Sequence, residues 1–274
     1  MELGIFSKTF EEPDLEHVLQ QMTSLGIYKT QFNLLSAGIE TLPVAVEEGK
    51  INEIKKLLKK YQVDISAISG TFNMVDNDLE AKKEGCKRFE VLCEVASQLE
   101  IPIITLCTGS KNAQSKWKWH PDNETKGAWE DLLRTTDIII KKAEEKQIIL
   151  GIEIEASNVI NTPEKARRYM DIFNSDYLKI IMDAANLFLP NQITSMNRIM
   201  EEAFQIVGED IVLAHAKDLA VSEDISFVAA GEGILDFDAY LKLLKRYGYE
   251  GSLIMHGLSS EQVLKSVEFL RGKM

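Results

Sequence analysis

Eight short apolar segments recur along the chain, and a stretch of helical periodicity separates each from the next. The segments are residues 3–6, 27–32, 63–69, 103–107, 148–154, 179–182, 211–214 and 252–255. Most are runs of Ile, Val or Leu, the pattern of strands buried on both faces. Between them, Ile51, Ile54, Leu57, Leu58 and Tyr61 share one helix face, and Leu132, Leu133, Thr136, Ile139, Ile140 and Ala143 form another stripe. Thr162 followed by Pro163 reads as a helix start, with the threonine as cap and the proline in the first turn. Parallel strands need long crossovers, so this alternation calls for a parallel sheet.

Eight such units in 274 residues is the arithmetic of a closed (β/α)8 TIM barrel of the α/β class. The competing architecture is an open doubly wound sheet, which would usually carry a glycine-rich nucleotide loop after the first strand. That position reads Ser7-Lys8-Thr9-Phe10. No linker or low-complexity stretch interrupts the pattern, so residues 1–274 are expected to form a single domain.

Composition narrows the function classes. With 31 Lys and Arg against 43 Asp and Glu, the net charge is −12, which argues against a dedicated nucleic-acid partner. Hydrophobic residues at 45% exclude a largely disordered chain. Cys86, Cys93 and Cys107 are odd in number, lack CxxC spacing and read as small packing residues. The N-terminus has no basic leader, and no apolar run approaches the roughly 20 residues a spanning helix needs. A cytoplasmic protein without a membrane partner is therefore expected.

In such barrels the active site forms where strands end and the following loops begin. The fifth segment ends in Glu153 and Glu155, two residues apart and so on one side of the strand. The sixth runs into Asp183 and Asn186, the seventh into His215 and Lys217, and the eighth into His256. Four successive strands thus end in Glu153, Asp183, His215 and His256. A lone His or Asp at a strand end is ordinarily a hydrogen-bonded or capping group. Four brought together by closure of one barrel form a ligand set of carboxylate oxygens and imidazole nitrogens. That set suits one divalent ion, Mn²⁺, Co²⁺ or Zn²⁺, better than Mg²⁺, which prefers oxygen-only shells.

The sequence resembles the xylose-isomerase-like barrels: sugar-phosphate isomerases and epimerases, with ketose 3-epimerases and inosose dehydratases as relatives. The resemblance is carried by Gly70-Thr71-Phe72-Asn73-Met74, Trp117-Lys118-Trp119-His120-Pro121-Asp122-Asn123, Ile152-Glu153-Ile154-Glu155, Asp183-Ala184-Ala185-Asn186-Leu187-Phe188, His215-Ala216-Lys217-Asp218 and Ala230-Gly231-Glu232-Gly233-Ile234-Leu235-Asp236. It implies one divalent metal held by Glu153, Asp183, His215 and a residue of the eighth strand. There the family has a Glu and this chain has His256. Where many members have a His three residues after the Asp, this chain has Asn186. In the epimerases the two strand-end carboxylates also move the substrate protons, so these departures bear on the mechanism.

The implied reaction is isomerisation or epimerisation of a sugar or sugar phosphate. The metal stabilises an enediolate while a side chain moves a proton beside the carbonyl. Glu153, Glu155 and His256 are the expected catalytic groups. Glu155 stands between a base and a loop carboxylate, and His256 between a ligand and an acid/base. Trp117, Trp119 and His120 after the fourth strand, Asn73 after the third, Asn186 and Lys217 are the expected substrate contacts. Gly231-Glu232-Gly233 reads as a flexible rim loop able to touch phosphate. Dehydration of a polyol ketone of the inosose type and a catalytically weak sugar-binding barrel stay open as alternatives. The related abasic-site endonucleases need many more ligands than four histidines allow. A homodimer is one expected assembly, since such barrels commonly pair.

Overall fold

A computed structural model describes residues 1–11, 14–222 and 224–274. Eight parallel strands close into a barrel: β1 (Glu2–Phe6), β2 (Lys29–Phe32), β3 (Asp64–Ser69), β4 (Ile103–Leu106), β5 (Ile149–Glu153), β6 (Leu178–Asp183), β7 (Ile211–Ala216) and β10 (Ser252–Met255). Closure is made by β1 against β10, with Glu2 beside Ser252 and Ile5 beside Met255. Between β7 and β10 a small antiparallel hairpin stands apart from the barrel, β8 (Asp218–Val221) with β9 (Ile225–Val228). The helices are α1 (Leu15–Ser24), α2 (Glu48–Tyr61), α3 (Leu79–Gln98), α4 (Lys126–Lys146), α5 (Pro163–Phe173), α6 (Met196–Val207), α7 (Phe237–Arg246) and α8 (Val263–Arg271). None is long and apolar enough to cross a membrane.

The expected segments coincide with the barrel strands, but β6 and β7 run further than their apolar stretches. Asp183 and His215 remain in the ladder, paired with each other across β6 and β7. Apolar runs mark a strand only as far as its side chains are apolar, whereas the hydrogen-bonded ladder continues into the polar end. Helix starts follow local chemistry. Asp14, Asp78, Thr125 and Thr162 accept backbone N–H bonds at the starts of α1, α3, α4 and α5, as Thr162 was expected to do. Ile51 and Ile54 of α2 are buried, and Leu57, Leu58 and Tyr61 pack partly buried on the same core. Cys86, Cys93 and Cys107 are buried free thiols, as read from their spacing.

Strand pleat then fixes what faces the barrel axis. Outward residues such as Leu150, Ile152, Ile180 and Met182 join the large core under the helices. Inward residues Ala67, Ile103, Ile181, Leu213 and Ile254 form a separate cluster inside the barrel. Gly151 belongs to the same inward row, because a Cβ there would lie 2.8 Å from Ile181 Cγ1. Moving two residues along each strand gives the next inward row. That row reads Phe6, Gln31, Ser69, Thr105, Glu153, Asp183, His215 and His256, and it is the floor of a polar opening at the strands' C-terminal ends.

Candidate active site

A cavity of about 650 Å³ opens over this row, with Phe6, Gln31, Ser69, Thr105, Glu153 and His256 in its wall. Asp183 and His215 lie buried beneath it. Of the four strand-end residues expected to meet, Asp183, His215 and His256 bring ligand atoms together, and Glu153 adjoins His215. His215 Nδ1 stands 3.4 Å from Glu153 Oε1 and 3.5 Å from Asp183 Oδ2. Asp183, His215 and His256 each offer one ligand atom, all within 4.8 Å of one another. Among the described residues the buried side-chain atoms without a hydrogen bond include Asp183 Oδ2, His215 Nδ1 and His256 Nδ1. Each unpaired buried polar atom costs about 1–3 kcal/mol. Two such imidazole nitrogens on adjacent strands, beside an Asp183 Oδ2 met by the Lys217 ammonium as an ion pair, mark a position built for a guest that supplies the missing interactions.

The tautomer of His215 is set from the far side of the ring. Its Nε2 lies 2.8 Å from Gln31 Oε1. A carbonyl oxygen only accepts, so Nε2 carries a hydrogen and donates, and Nδ1 is the nitrogen directed between the two carboxylates, where a second proton or a metal ion in its place would sit. The charges agree with a cation site. Burial alone would raise the Asp183 pKa, but Lys217 and the neighbouring imidazoles hold that carboxyl well below the usual carboxylate range. Burial works the same way on Glu153, and His215 outweighs it to lower its pKa. Burial disfavours charge on His215, yet the Glu153 and Asp183 carboxylates lift it to about 9. The same carboxylates that draw a proton onto this ring would draw a metal ion. For His256, burial and then His215 push the imidazole down to about 3, keeping it neutral. Burial and then the Glu153 charge push Glu155 up to about 8.

Lys217 and Asn186 complete the constellation. Lys217 Nζ lies 2.9 Å from Asp183 Oδ2 as an ion pair, without the alignment of a hydrogen bond, and donates to Asn186 Oδ1 at 2.7 Å. Asn186 in turn donates to Glu153 Oε1 at 3.0 Å. A polar chain therefore runs Lys217–Asn186–Glu153, fixing the carboxylate's orientation. Phe227 of β9 covers the Lys217 ammonium, 3.9 Å from ring centroid to Nζ. The hairpin that brings Phe227 there is rooted by Asp218. Its carboxylate accepts backbone N–H bonds from Leu219, Gly231, Gly233 and Leu235. This corrects the reading of Gly231-Glu232-Gly233 as a phosphate-touching loop, because the glycine N–H groups are already taken by Asp218. Gly233 is needed there: a Cβ would lie 2.3 Å from both Asp218 Oδ1 and Leu219 O.

The remaining expected substrate contacts divide. Trp117 lines the cavity with Lys116 beside it, and Glu155 and Lys217 line it too. Trp119 is exposed and is not part of that wall. His120 is the cap of the short 3-10 turn Pro121–Glu124, its Nδ1 accepting from Asp122 N at 3.2 Å. Asn73 staples two loops, donating to Ser110 O and accepting from Ser110 N. For His120 and Asn73 the visible role is to shape the loops behind the wall. Sequence reasoning missed Gln31, Phe6, Ser69 and Thr105. The signal was the same strand-end offset that picked out Glu153 to His256, applied to the first four strands.

Comparison with known proteins places this geometry among related barrels. Residues 33–273 match the family model described as xylose isomerase-like TIM barrel. An inosose dehydratase of Glaesserella parasuis serovar 5 is 24% identical over 159 residues, 53% of this chain. The match spans only about half of that relative's length, 53%. The L-ribulose-5-phosphate 3-epimerase UlaE of Shigella flexneri serotype 5b is 24% identical over 211 residues, covering 74% of this chain and 68% of the relative. Among solved structures, the IOLI protein with a bound zinc atom superposes with a TM-score of 0.70 at 16% identity, covering 99% of this chain and 96% of that one.

Proposed function

This chain belongs to the xylose isomerase-like TIM barrel family, and we propose that it is a metal-dependent enzyme that isomerises or epimerises a sugar or sugar phosphate. The observation that carries this reading is the meeting of buried ligand atoms on adjacent strands: His215 Nδ1, without a hydrogen bond, stands 3.4 Å from the Glu153 carboxylate and 3.5 Å from Asp183 Oδ2, which only the Lys217 ammonium pairs. Asp183, His215 and Glu153 would hold one divalent ion, with Mn²⁺, Co²⁺ and Zn²⁺ as the ions suited to mixed oxygen and nitrogen donors. Bound there, the ion supplies Lewis acidity that polarises a carbonyl and acidifies the neighbouring C–H.

The chain's own residues do the rest. Gln31 keeps His215 in the ligating tautomer. Asn186 holds one oxygen of Glu153. The Lys217 ammonium, fixed by Asp183 and Asn186, presents positive charge to the cavity where negative charge develops on a substrate oxygen. Glu155, in the cavity wall, is placed to take a proton from a carbon and return it to the adjacent carbon or the opposite face. Trp117 offers an apolar face to a sugar ring. Loss of a hydroxyl after proton abstraction, instead of reprotonation, would give dehydration of a polyol ketone. His256 in place of a second carboxylate favours keeping that second reading.

The test is a ketose and ketose-phosphate panel, L-ribulose 5-phosphate and D-tagatose included, incubated with Mn²⁺-loaded protein in D₂O. Deuterium at one carbon of one sugar is expected, with loss of label in Asp183→Asn. Release of water with label would select the dehydratase reading. Fully metal-loaded protein that labels nothing would leave a sugar-binding barrel and end the enzymatic reading.

A further inference from the structure

We propose that His256 lies outside the metal's coordination shell and instead hydrogen-bonds the substrate, so that this barrel replaces a ligating carboxylate with a substrate-facing imidazole. The inference rests on the reading of the site as a metal-dependent sugar barrel. Its evidence is the orientation of three rings. His256 lies face to face with His215, with centroids 4.7 Å apart and planes within 9°. Its other face is covered by Phe6, at 4.8 Å and 22°.

An imidazole nitrogen binds a metal through a lone pair in the ring plane. Two parallel rings stacked face to face share no plane, so one ion cannot lie in both. His215 is the ring whose free nitrogen is flanked by carboxylates, Glu153 Oε1 at 3.4 Å and Asp183 Oδ2 at 3.5 Å, and whose other nitrogen is tied to Gln31. An ion in the plane of His215 then lies off the plane of His256. The nearness of His256 to Asp183 and His215, within 4.8 Å, follows from the stacking and does not require coordination. Turning His256 edge-on to the ion would break its packing against Phe6.

What His256 can do is set by where it stands and what it lacks. It lines the cavity, and its Nδ1 is buried without a hydrogen bond in the chain. A neutral imidazole carries one donor and one acceptor, which matches a hydroxyl or carbonyl oxygen of a sugar. A carboxylate at this strand end would offer acceptors only and would add negative charge beside the oxygen that gains it during proton removal.

His256→Phe keeps the aromatic stack and removes both nitrogens. By calorimetric Mn²⁺ titration it is expected to bind one equivalent with Kd within about threefold of the parent, against a loss of about 10-fold or more in Asp183→Asn. The visible bands of the Co²⁺-substituted protein are expected to be unchanged. Deuterium exchange into the sugar labelled by the parent should fall about 100-fold. His256→Gln, which retains a donor and an acceptor, should restore part of the exchange and serves if the Phe variant does not fold. A tenfold or greater weakening of Mn²⁺ or altered Co²⁺ bands in either variant would overturn the non-ligating assignment. Unchanged exchange would overturn the substrate contact. If the parent labels no sugar, the proposed activity and the substrate contact fall together, while titration and spectrum still decide whether His256 ligates.

Discussion

At the scale of single residues, the candidate site is a matter of which atoms are left without partners. Asp183 and His215 each spend one polar atom on a hydrogen bond within the chain, with Ala185 N and with Gln31, and the other makes none, Asp183 Oδ2 being met by the Lys217 ammonium as an ion pair. Asp183→Asn and His215→Ala are each expected to abolish metal retention in purified protein while far-UV circular dichroism stays that of the parent, and Glu153→Gln to weaken it. Full metal equivalents in all three would remove the site. Gln31→Leu is a finer probe. It leaves every proposed ligand in place but frees the His215 tautomer, and a 10–100-fold loss in Mn²⁺ affinity is expected by calorimetry. Much of this was legible in sequence, because strand ends in a closed barrel share one offset along the pleat. Gln31 was overlooked because a lone polar residue at the end of a short strand looks like the start of a turn until closure sets it opposite His215. The structural duty of Asn73 was not legible in the sequence. The partner of Asn73, Ser110, is decided by how loops fold back, which no local periodicity encodes, whereas His120 caps its own turn two residues on, a local start like that of Thr162 and Pro163 that was read instead as a substrate contact.

At the scale of elements, the wall of the cavity depends on how the loops after β4 and β5 are fastened together. Asn158, fully buried, accepts from Gly109 N and donates to the carbonyl of Lys116, next to Trp117. Asn123 accepts from Lys111 N and donates to Ser157 O. These two side chains clamp the Trp117 segment against the segment that follows Glu155. Asn158→Ala leaves Gly109 N and Lys116 O without these bonds, at about 1–3 kcal/mol for each group that stays dry. A lower melting temperature and a raised KM are expected, with Mn²⁺ affinity unchanged, since no proposed ligand touches Asn158. A weakened Mn²⁺ site in that variant would mean that the loop clamp and the metal floor are one unit. The hairpin of β8 and β9 escaped the sequence reading for a related reason. Its strands are four residues each, and what roots them is the Asp218 carboxylate with its four N–H donors, an arrangement visible only once the chain has turned back on itself.

At the scale of the whole molecule, the alternation of strands and helices fixed the architecture because eight parallel strands of this length have few ways to bury both faces. The ion pairs that tie the outer layer together were not visible in that alternation, and the cluster around Asp131 makes stability depend on pH. Asp131 of α4 receives Lys82 of α3 at 3.2 Å, Lys111 of the loop after β4 at 2.5 Å and Arg134 at 2.9 Å. Burial pushes its pKa up, but hydrogen bonds from Lys111, Arg134 and Lys82 outweigh this and hold it well below the usual carboxylate range. A carboxyl with a folded pKa below its unfolded value stabilises the fold above the unfolded value, about 3.9, and loses that contribution as pH falls toward the folded one. The unfolded chain binds the proton first, so stability rises with pH across this window. Urea unfolding at a series of pH values should therefore show the parent losing stability below about pH 4 more steeply than Asp131→Asn. The variant should be the less stable of the two at neutral pH, and the two curves should approach each other in acid. Parallel curves would show that the three cations gain nothing from the charge on Asp131 and that α3, α4 and the Trp117 loop are held together by packing alone.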